Sequence, residues 1–542
     1  MTTRLPARLY RWLAAHQIGL SLLLLLAWAE KTAWRLPADA SYDLLNYHLY
    51  GPFALLHGKW ARDLAPAQTQ GFLPPTNDIP YYLLARHVHH VHLLNLLLAL
   101  PAVAAIWLSF LITLRLLRAG GVTTRLVALV AVLIAATGAA THPVLATSMS
   151  DMIPCSLALG ALLLLLRHAE AAVSGKLPRG PSELLLHLLP GVLVGVALGL
   201  KLTLSYAAVG LVVALLARPD VYPLLRLRMA FLFCMGAGIG MLGAGGWWWL
   251  RMAQATGNPL FPLYNNLFQS PLALPSDYVD PRFFPRDALH WLLYPFLWAL
   301  RSTPLVTEMD VPMRDPRIAL ALLAAAAILF RSFRGAPAAR GPARFISVFF
   351  LLSFVLWERQ FSIFRYLSLL EILSGTLLAM LALDLARDER ARRVALGLAV
   401  LLLATLRVYT VYPNWGRLAE PGGRSLAVHV PALPPDSLVL VLDPAPLAYV
   451  AVFEPDSVRF IGTDNNLTRP LQGGPLQQRI RAAIAAQPVH LYGLEKPGSE
   501  GRTADRTLAA YGLHRAGCDE VTGGIVGSTT RLCALVSRIR SP

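Results

Sequence analysis

The chain has 542 residues, 56% of them hydrophobic and 15% charged, with a mean hydropathy of +0.52. Soluble domains carry roughly 25% charged residues, so the composition excludes an ordinary soluble enzyme and points to an integral membrane protein. The net charge of +17 would suit nucleic acid in a soluble chain. Here the basic residues fall in short segments between apolar runs, where they set topology, and no nucleic-acid partner is expected.

A helix that crosses hydrocarbon needs about 20 apolar residues. Runs at 12–29, 93–116, 126–140, 152–166, 184–200, 202–216, 230–250, 318–330, 345–357, 362–383 and 394–408 read as about eleven spans. Arg4, Arg8 and Arg11 precede the first run. Basic clusters at Arg115/Arg118/Arg125, Arg167/Lys176/Arg179, Arg218/Arg226/Arg228, Arg331/Arg334/Arg340/Arg344 and Arg387/Arg390/Arg392/Arg393 fall in every second connection. The positive-inside rule then predicts a cytoplasmic N-terminus in the inner (cytoplasmic) membrane. It leaves 37–91, 141–151, 251–317, 357–361 and everything after 410 outside. Three of these outer segments are long, so function is expected on the outer face. Ala38-Asp39-Ala40 has the form of a signal cleavage site, but the apolar run ends well before it, and the first span is read as retained.

The first outer segment holds the most informative residue, Asp43, within SYDLLNYHLYGPFALLHGKW. Leu44, Tyr47, Leu55 and Leu56 predict the buried side of a short helix lying on the membrane. Tyr42, Asn46, Tyr47, His48, Asp63 and Asp78 are the accompanying candidates for donor or acceptor contacts. His87, His89, His90 and His92 follow at spacings that permit a metal pair, though interfacial histidines without a ligand are the better account of them. Asp151 stands before the fourth span, at the same membrane height as Asp43. Either acid alone suits a helix N-terminus; two at one level suit acid/base or metal-assisted chemistry. The metal is left open, with Asp43 and Asp151 as its candidate ligands.

Lys201 closes GVLVGVALGLK. A lysine within a span costs roughly 2.5–3.5 kcal/mol on insertion scales, which snorkelling or a bound anion offsets. Gly238 to Gly243 match G-x-G-x-x-G, but inside a membrane run small residues serve close helix packing. Trp247-Trp248-Trp249 reads as an interfacial belt. Arg251 opens the third outer segment, which adds Arg282, Arg286, Arg301, Glu308 and Asp310, while Arg359 and Arg365 flank another outer junction. Arginine suits bidentate phosphate contact, so Lys201, Arg251 and Arg365 are the candidates for binding a substrate phosphate.

The membrane part is assigned to 1–411, a linker to 412–429, and a small extracytoplasmic α/β domain to 430–542. SLVLVLD, VRFIG and VHLYG read as strands, PLQQRIRAAIAAQ and ADRTLAAYG as helices. An outer location permits disulfides, and Cys518 and Cys533, flanking VTGGIVGSTT, are expected to be bonded.

With an acid in SYDLLNYHL, a second in TSMSD, a Gly-rich span leading into Lys201, and GNPLFPLYN at 257–265, the chain resembles the GT-C superfamily of membrane glycosyltransferases. That superfamily includes the aminoarabinose and protein mannosyltransferases. Asp43 stands alone where many relatives have two adjacent acids. The resemblance implies a polyprenyl-phosphate sugar donor, and an envelope glycan, lipid or protein acceptor. It gives Asp43 the role of general base, Asp151 that of acceptor orientation or metal binding, and Lys201 with arginines that of stabilising the leaving phosphate. A polymerase or ligase of lipid-linked glycans would use the same donors with a base among His48, His57 and His142. A secondary transporter predicts repeated halves with polar groups at midplane, which the sequence does not display. A scaffold presenting the tail domain leaves the shared level of Asp43, Asp151 and Lys201 without a reason.

Overall fold

Hydrocarbon offers a polypeptide no hydrogen-bond partner, so long runs rich in Leu, Ala and Val satisfy their backbone internally as helices. The computed structural model describes residues 7–118, 120–175, 180–334, 341–418, 423–486, 490–497, 501–523, 525 and 529–537. Arg4, Lys176, Arg179 and Arg340 lie outside them. The helices are α1 (Ala7–Arg35), α2 (Tyr50–Leu56), α3 (Ile79–His87), α4 (Val91–Leu116), α5 (Val122–Ala136) and α6 (Met152–Val173). Then come α7 (Pro181–Leu200), α8 (Ser205–Leu216), α9 (Pro223–Met241), α10 (Trp247–Thr256), α11 (Asn265–Phe268) and α12 (Ala288–Leu300). The bundle closes with α13 (Arg317–Phe333), α14 (Pro342–Gln360), α15 (Ser368–Leu385) and α16 (Glu389–Tyr409).

Each of the predicted runs falls largely within a helix. Among the described residues, five stretches are long and apolar enough to cross a membrane: Val91–Leu116, Met152–Ala171, Pro181–Leu200, Pro223–Thr256 and Phe364–Leu385. The fourth joins α9 to α10 through a π-helical turn, Leu242–Gly246.

Three boundaries differ from expectation. The run 126–140 leaves the helix at Ala136, because the following N–H groups are drawn to buried carboxylates. Ala139 donates to Asp315 at 2.8 Å, and Ala140 and Thr141 donate to Glu371 at 2.7–3.1 Å. A Cβ at Gly138 would lie 2.1 Å from the Glu371 carboxyl carbon, so that contact needs glycine. Residues 202–204 form a 3₁₀ turn before α8. The third is α12, which lies in a segment read as loop. It buries Tyr294, Pro295, Trp298 and Ala299 and exposes Leu289, Leu292, Leu293 and Leu300.

Of the three dinucleotide-like glycines only Gly240 serves the close packing expected of them. A Cβ on Gly191 or Gly195 would sit 2.1 Å from the Phe233 or Ala237 carbonyl oxygen. One on Gly236 or Gly240 would sit 2.2 Å from that of Leu188 or Val192, whereas Gly238 and Gly243 meet nothing. Glycines four apart on α7 and α9 thus bring two backbones together.

Beyond α16 a six-stranded sheet forms, in the order β1-β5-β6-β4-β2-β3. Its strands are β1 (Val428–His429), β2 (Leu438–Val441), β3 (Arg459–Gly462), β4 (Leu491–Glu495), β5 (Leu513–Gly523) and β6 (Thr530–Ser537). Strand β2 pairs parallel with β3 and β4, and α17 (Pro475–Ala485) and α18 (Gly501–Tyr511) supply connections. The hairpin β5–β6 is longer than the turn-rich reading of its middle suggested. It sets Cys518 opposite Cys533, and the two are disulfide-bonded.

The linker expectation needs correction. Val428 is already in a strand, and residues before it are stitched to the bundle. Arg314 and Val411 exchange backbone hydrogen bonds, Ala40 donates to Gly416, Leu418 to Ala38, Val91 to Gly423, and Ser425 to His89. Asp63, expected among the donor or acceptor contacts, also belongs to this architecture. It accepts from the Tyr50 hydroxyl at 2.9 Å and from the Phe460 N–H at 3.0 Å. The fully buried Lys59 lies 3.6 Å away and donates to the Val458 carbonyl. Leu64 then pairs with Ile461 at the free edge of β3, covering unpaired strand groups that would otherwise invite association. Truncating Asp63 to Ala strands the Lys59 charge in the core. The expected cost is about 3–5 kcal/mol, read as a lower melting temperature and faster proteolytic release of the sheet domain.

Candidate functional site

Four segments distant in sequence meet where the helices give way to loops. Asp43 follows α1, at the start of a π-helical turn, Leu44–His48, whose entry is fixed by Ser41 Oγ accepting from the Leu44 N–H at 3.3 Å. Asp151 precedes α6, and Lys201 breaks from α7 in extended conformation. Arg365 sits on a 3₁₀ turn, Phe364–Leu367, that leads into α15.

Arg365 is the hub. Its side chain is 1% exposed, with Nη1 donating to Asp43 at 2.7 Å and Nη2 to Glu308 at 3.1 Å. Its Nε lies 4.0 Å from Asp151 Oδ2, and among the described residues neither of those buried atoms has a hydrogen-bond partner. Lys201 Nζ donates to Asp151 Oδ1 and to the Met149 carbonyl at 3.0 Å. Asp43, Asp151, Lys201 and Arg365, all chosen from sequence, therefore form one network.

Other candidates support that network at its edge. His48 Nδ1 lies 2.7 Å from Asp78 and its Nε2 lies 4.0 Å from Asp43. Tyr47 packs at a tilt against His48, 4.2 Å between ring centres. Burial first, then Asp43, push its phenol above the ordinary value, so it remains a proton-bearing donor. The Tyr42 hydroxyl accepts from Gln68 at 2.8 Å and Asn46 donates to Gln70 at 3.4 Å, both within the first long segment. Of the predicted surface helix, Leu44 is buried while Leu56 is exposed.

Three sequence readings do not join the cluster. Arg251 stacks on Trp60, 4.6 Å from its ring centre, beside Trp248. Trp248 itself is buried and donates to the Phe72 carbonyl at 2.8 Å, which removes it from an interfacial belt. His57 pairs with Asp456 and His142 packs on Tyr412, while the histidines at 87–92 gather no ligand set among the described residues.

Two acids that the sequence did not single out as site candidates matter. Asp39 Oδ1 accepts from the Ser41 N–H at 2.9 Å and Oδ2 from the Ser148 N–H at 2.7 Å. One carboxylate thus fixes the two loops carrying Asp43 and Asp151; the sequence signal there was a cleavage-site lookalike. Glu308 lies on a turn closed by paired hydrogen bonds between Thr303 and Met313, and loop length hid its proximity to Arg365.

Electrostatics divide the acids. Burial works against the Asp43 charge, but Arg365 foremost, then His48 and Lys201, hold its pKa below the ordinary carboxylate value. Glu308, with 27% of its side chain still exposed, is pushed up to about 7, by burial first and by Asp43 and Asp151, against the pull of Arg365. Its raised value favours the folded state at low pH, a contribution lost as pH rises toward 7. As candidate metal ligands, Asp43 and Asp151 fit poorly. Each already faces a cation of the protein, and an ion between them would meet the Arg365 guanidinium.

No protein-family model matches the chain, and no characterised protein resembles it closely enough in sequence to indicate a family.

Proposed function

We propose that this chain is an inverting glycosyltransferase of GT-C type, embedded in the cytoplasmic membrane with its N-terminus inside and about eleven spans. On this reading the loop-side cluster and the sheet domain face outward. The enzyme moves a sugar from a polyprenyl-phosphate donor to a hydroxyl of an envelope glycan, lipid or protein. The observation that carries the reading is the convergence of Lys201 and Arg365 on Asp151, with Asp43 on the same guanidinium. Two cations that a phosphate can recruit thus stand next to a proton acceptor.

In the reaction the acceptor oxygen forms a bond to the anomeric carbon as the bond from that carbon to the phosphate oxygen breaks. Asp43 takes the acceptor proton, and the leaving polyprenyl phosphate keeps the electron pair. Lys201 and Arg365 stabilise the charge that grows on the phosphate. Asp151 holds Lys201 in place. The lipid-linked sugar brings its own leaving group, so no nucleotide-binding fold is needed.

Two expected results test this. Lys201→Ala should weaken donor binding, because the phosphate is charged in the ground state as well as the transition state. Binding of a polyprenyl-phosphate sugar to the purified protein in nanodiscs measures it, and unchanged affinity would remove Lys201 from the site. Donor affinity should also be highest below about pH 7, because Glu308 ionising near 7 competes with the phosphate for Arg365. Glu308→Gln should abolish that decline; a decline persisting in the variant would assign it to another group.

A second reading has one observation in its favour. The Asp78–His48 pair points an imidazole at Asp43, which suits a histidine base in a glycan polymerase or ligase. His48→Gln separates the two: on the transferase reading it lowers the rate far less than Asp43→Asn.

A further inference from the structure

Away from the Arg365 cluster, toward the far end of α15, helices α5, α15 and α16 leave an open groove of about 670 Å³. Val127, Ala131 and Ile134 of α5 form its floor, residues from 375–386 one wall and residues from 390–402 the other. The deep end closes where α5 and α15 touch: a Cβ at Gly375 would lie 1.9 Å from the Ala131 carbonyl oxygen. The mouth lies at the start of α16, which Thr123 ties to α5 by donating to Glu389 at 2.5 Å. Apart from Asp388 and Arg390 at that mouth, the lining residues are apolar.

Length and charge together identify the occupant. From Arg390 to Leu402 α16 rises about 18 Å, and the hydrocarbon of one leaflet is about 15 Å thick. The groove therefore has the length of one acyl chain running from headgroup level to the midplane. A helix of that length and about 10 Å across fills roughly 1,400 Å³, twice the space present. The mouth is basic. Arg331 is paired with Asp384 and Arg393 with Glu389, whereas among the described residues the exposed Arg387, Arg390 and Arg392 have no ion-pair partner. Asp388, the carboxylate in the lining, accepts from the Ala391 N–H at 2.7 Å. Positive charge is thus in excess where a lipid phosphate would lie.

We propose that this groove binds an anionic phospholipid, one acyl chain lying along α5 and the phosphate accepting from Arg390, with Arg387 and Arg392 beside it. The site depends neither on sugar transfer nor on the orientation proposed above, which serves only to assign it to the cytoplasmic leaflet.

The test is native mass spectrometry of the full chain, delipidated in a non-ionic detergent and titrated with dioleoyl-phosphatidylglycerol. Dioleoyl-phosphatidylcholine, with the same chains and a zwitterionic headgroup, is the control. Phosphatidylglycerol should bind about tenfold or more tightly, the scale of one charge-assisted hydrogen bond. Arg390→Gln, at an exposed position that packing does not need, should remove that advantage. Arg167→Gln takes the same charge from an exposed position outside the groove and should preserve it. Ala382→Phe fills the space between the walls and should abolish binding of both lipids at concentrations that saturate the parent. Equal affinity of the parent for the two lipids overturns the proposal. So does a preference lost in both arginine variants, which would reflect general attraction to a chain of net charge +17. A preference that survives Arg390→Gln, or binding that survives Ala382→Phe, seats the lipid elsewhere, as at Arg365 and Lys201, and also overturns it. A second copy of the chain bound in place of lipid, and lost in Ala382→Phe, would give the groove to a helix instead.

Discussion

Asp43→Asn is expected to lower sugar transfer by about 10²–10⁴-fold, the usual contribution of a positioned general base, while donor binding stays near that of the unsubstituted protein. The amide keeps the size of the carboxylate and still accepts from Arg365, which holds Asp43 at 2.7 Å. Only the ability to take a proton is lost. Turnover with saturating donor, set beside donor affinity on the same preparation, separates the two effects. Transfer near the normal rate would reduce Asp43 to a partner that orients Arg365, and the pairing of His48 with Asp78 would then become the leading candidate base.

Replacing Arg365 should have a different and broader effect. Arg365→Met leaves Asp43, Glu308 and Asp151 converging on a site with no central cation. Removing one partner of a buried ion network costs about 3–5 kcal/mol, so both the melting temperature and the yield of folded protein should fall. Arg365→Lys keeps the charge but cannot reach Asp43 and Glu308 at once from a planar fork. It should fold, and bind donor weakly. If Arg365→Met folds as stably as the parent, the network is peripheral and the proposed centre is misplaced.

The contrast between these two substitutions reflects what sequence could and could not convey. Apolar runs marked the helices because hydrocarbon forces internal backbone pairing. Asp43, Asp151 and Lys201 were legible because charge next to such runs is costly and calls for a partner. Arg365 was legible only as one arginine among several at loop junctions. Its selection over Arg251 depended on tertiary geometry, with Arg251 taken up by Trp60. Asp39 and Glu308 act through partners about a hundred and about sixty residues away, respectively, and no local spacing announces such contacts. Asp63 looked like site chemistry yet secures the sheet domain, because an exposed strand edge and a buried lysine needed it more. The end of α5 was missed for a related reason: Glu371 and Asp315, remote in sequence, claim the N–H groups that a continued helix would have used.

The most direct test of the account is the release of polyprenyl phosphate. Purified protein in nanodiscs would be incubated with a panel of polyprenyl-phosphate sugars and an envelope extract as acceptor, and the lipid products followed by mass spectrometry. The account predicts that one donor is converted to free polyprenyl phosphate, that conversion requires the acceptor extract, and that Asp43→Asn suppresses it by about 10²-fold or more. Complete persistence of every donor, or equal conversion by the parent and the Asp43→Asn protein, would contradict it.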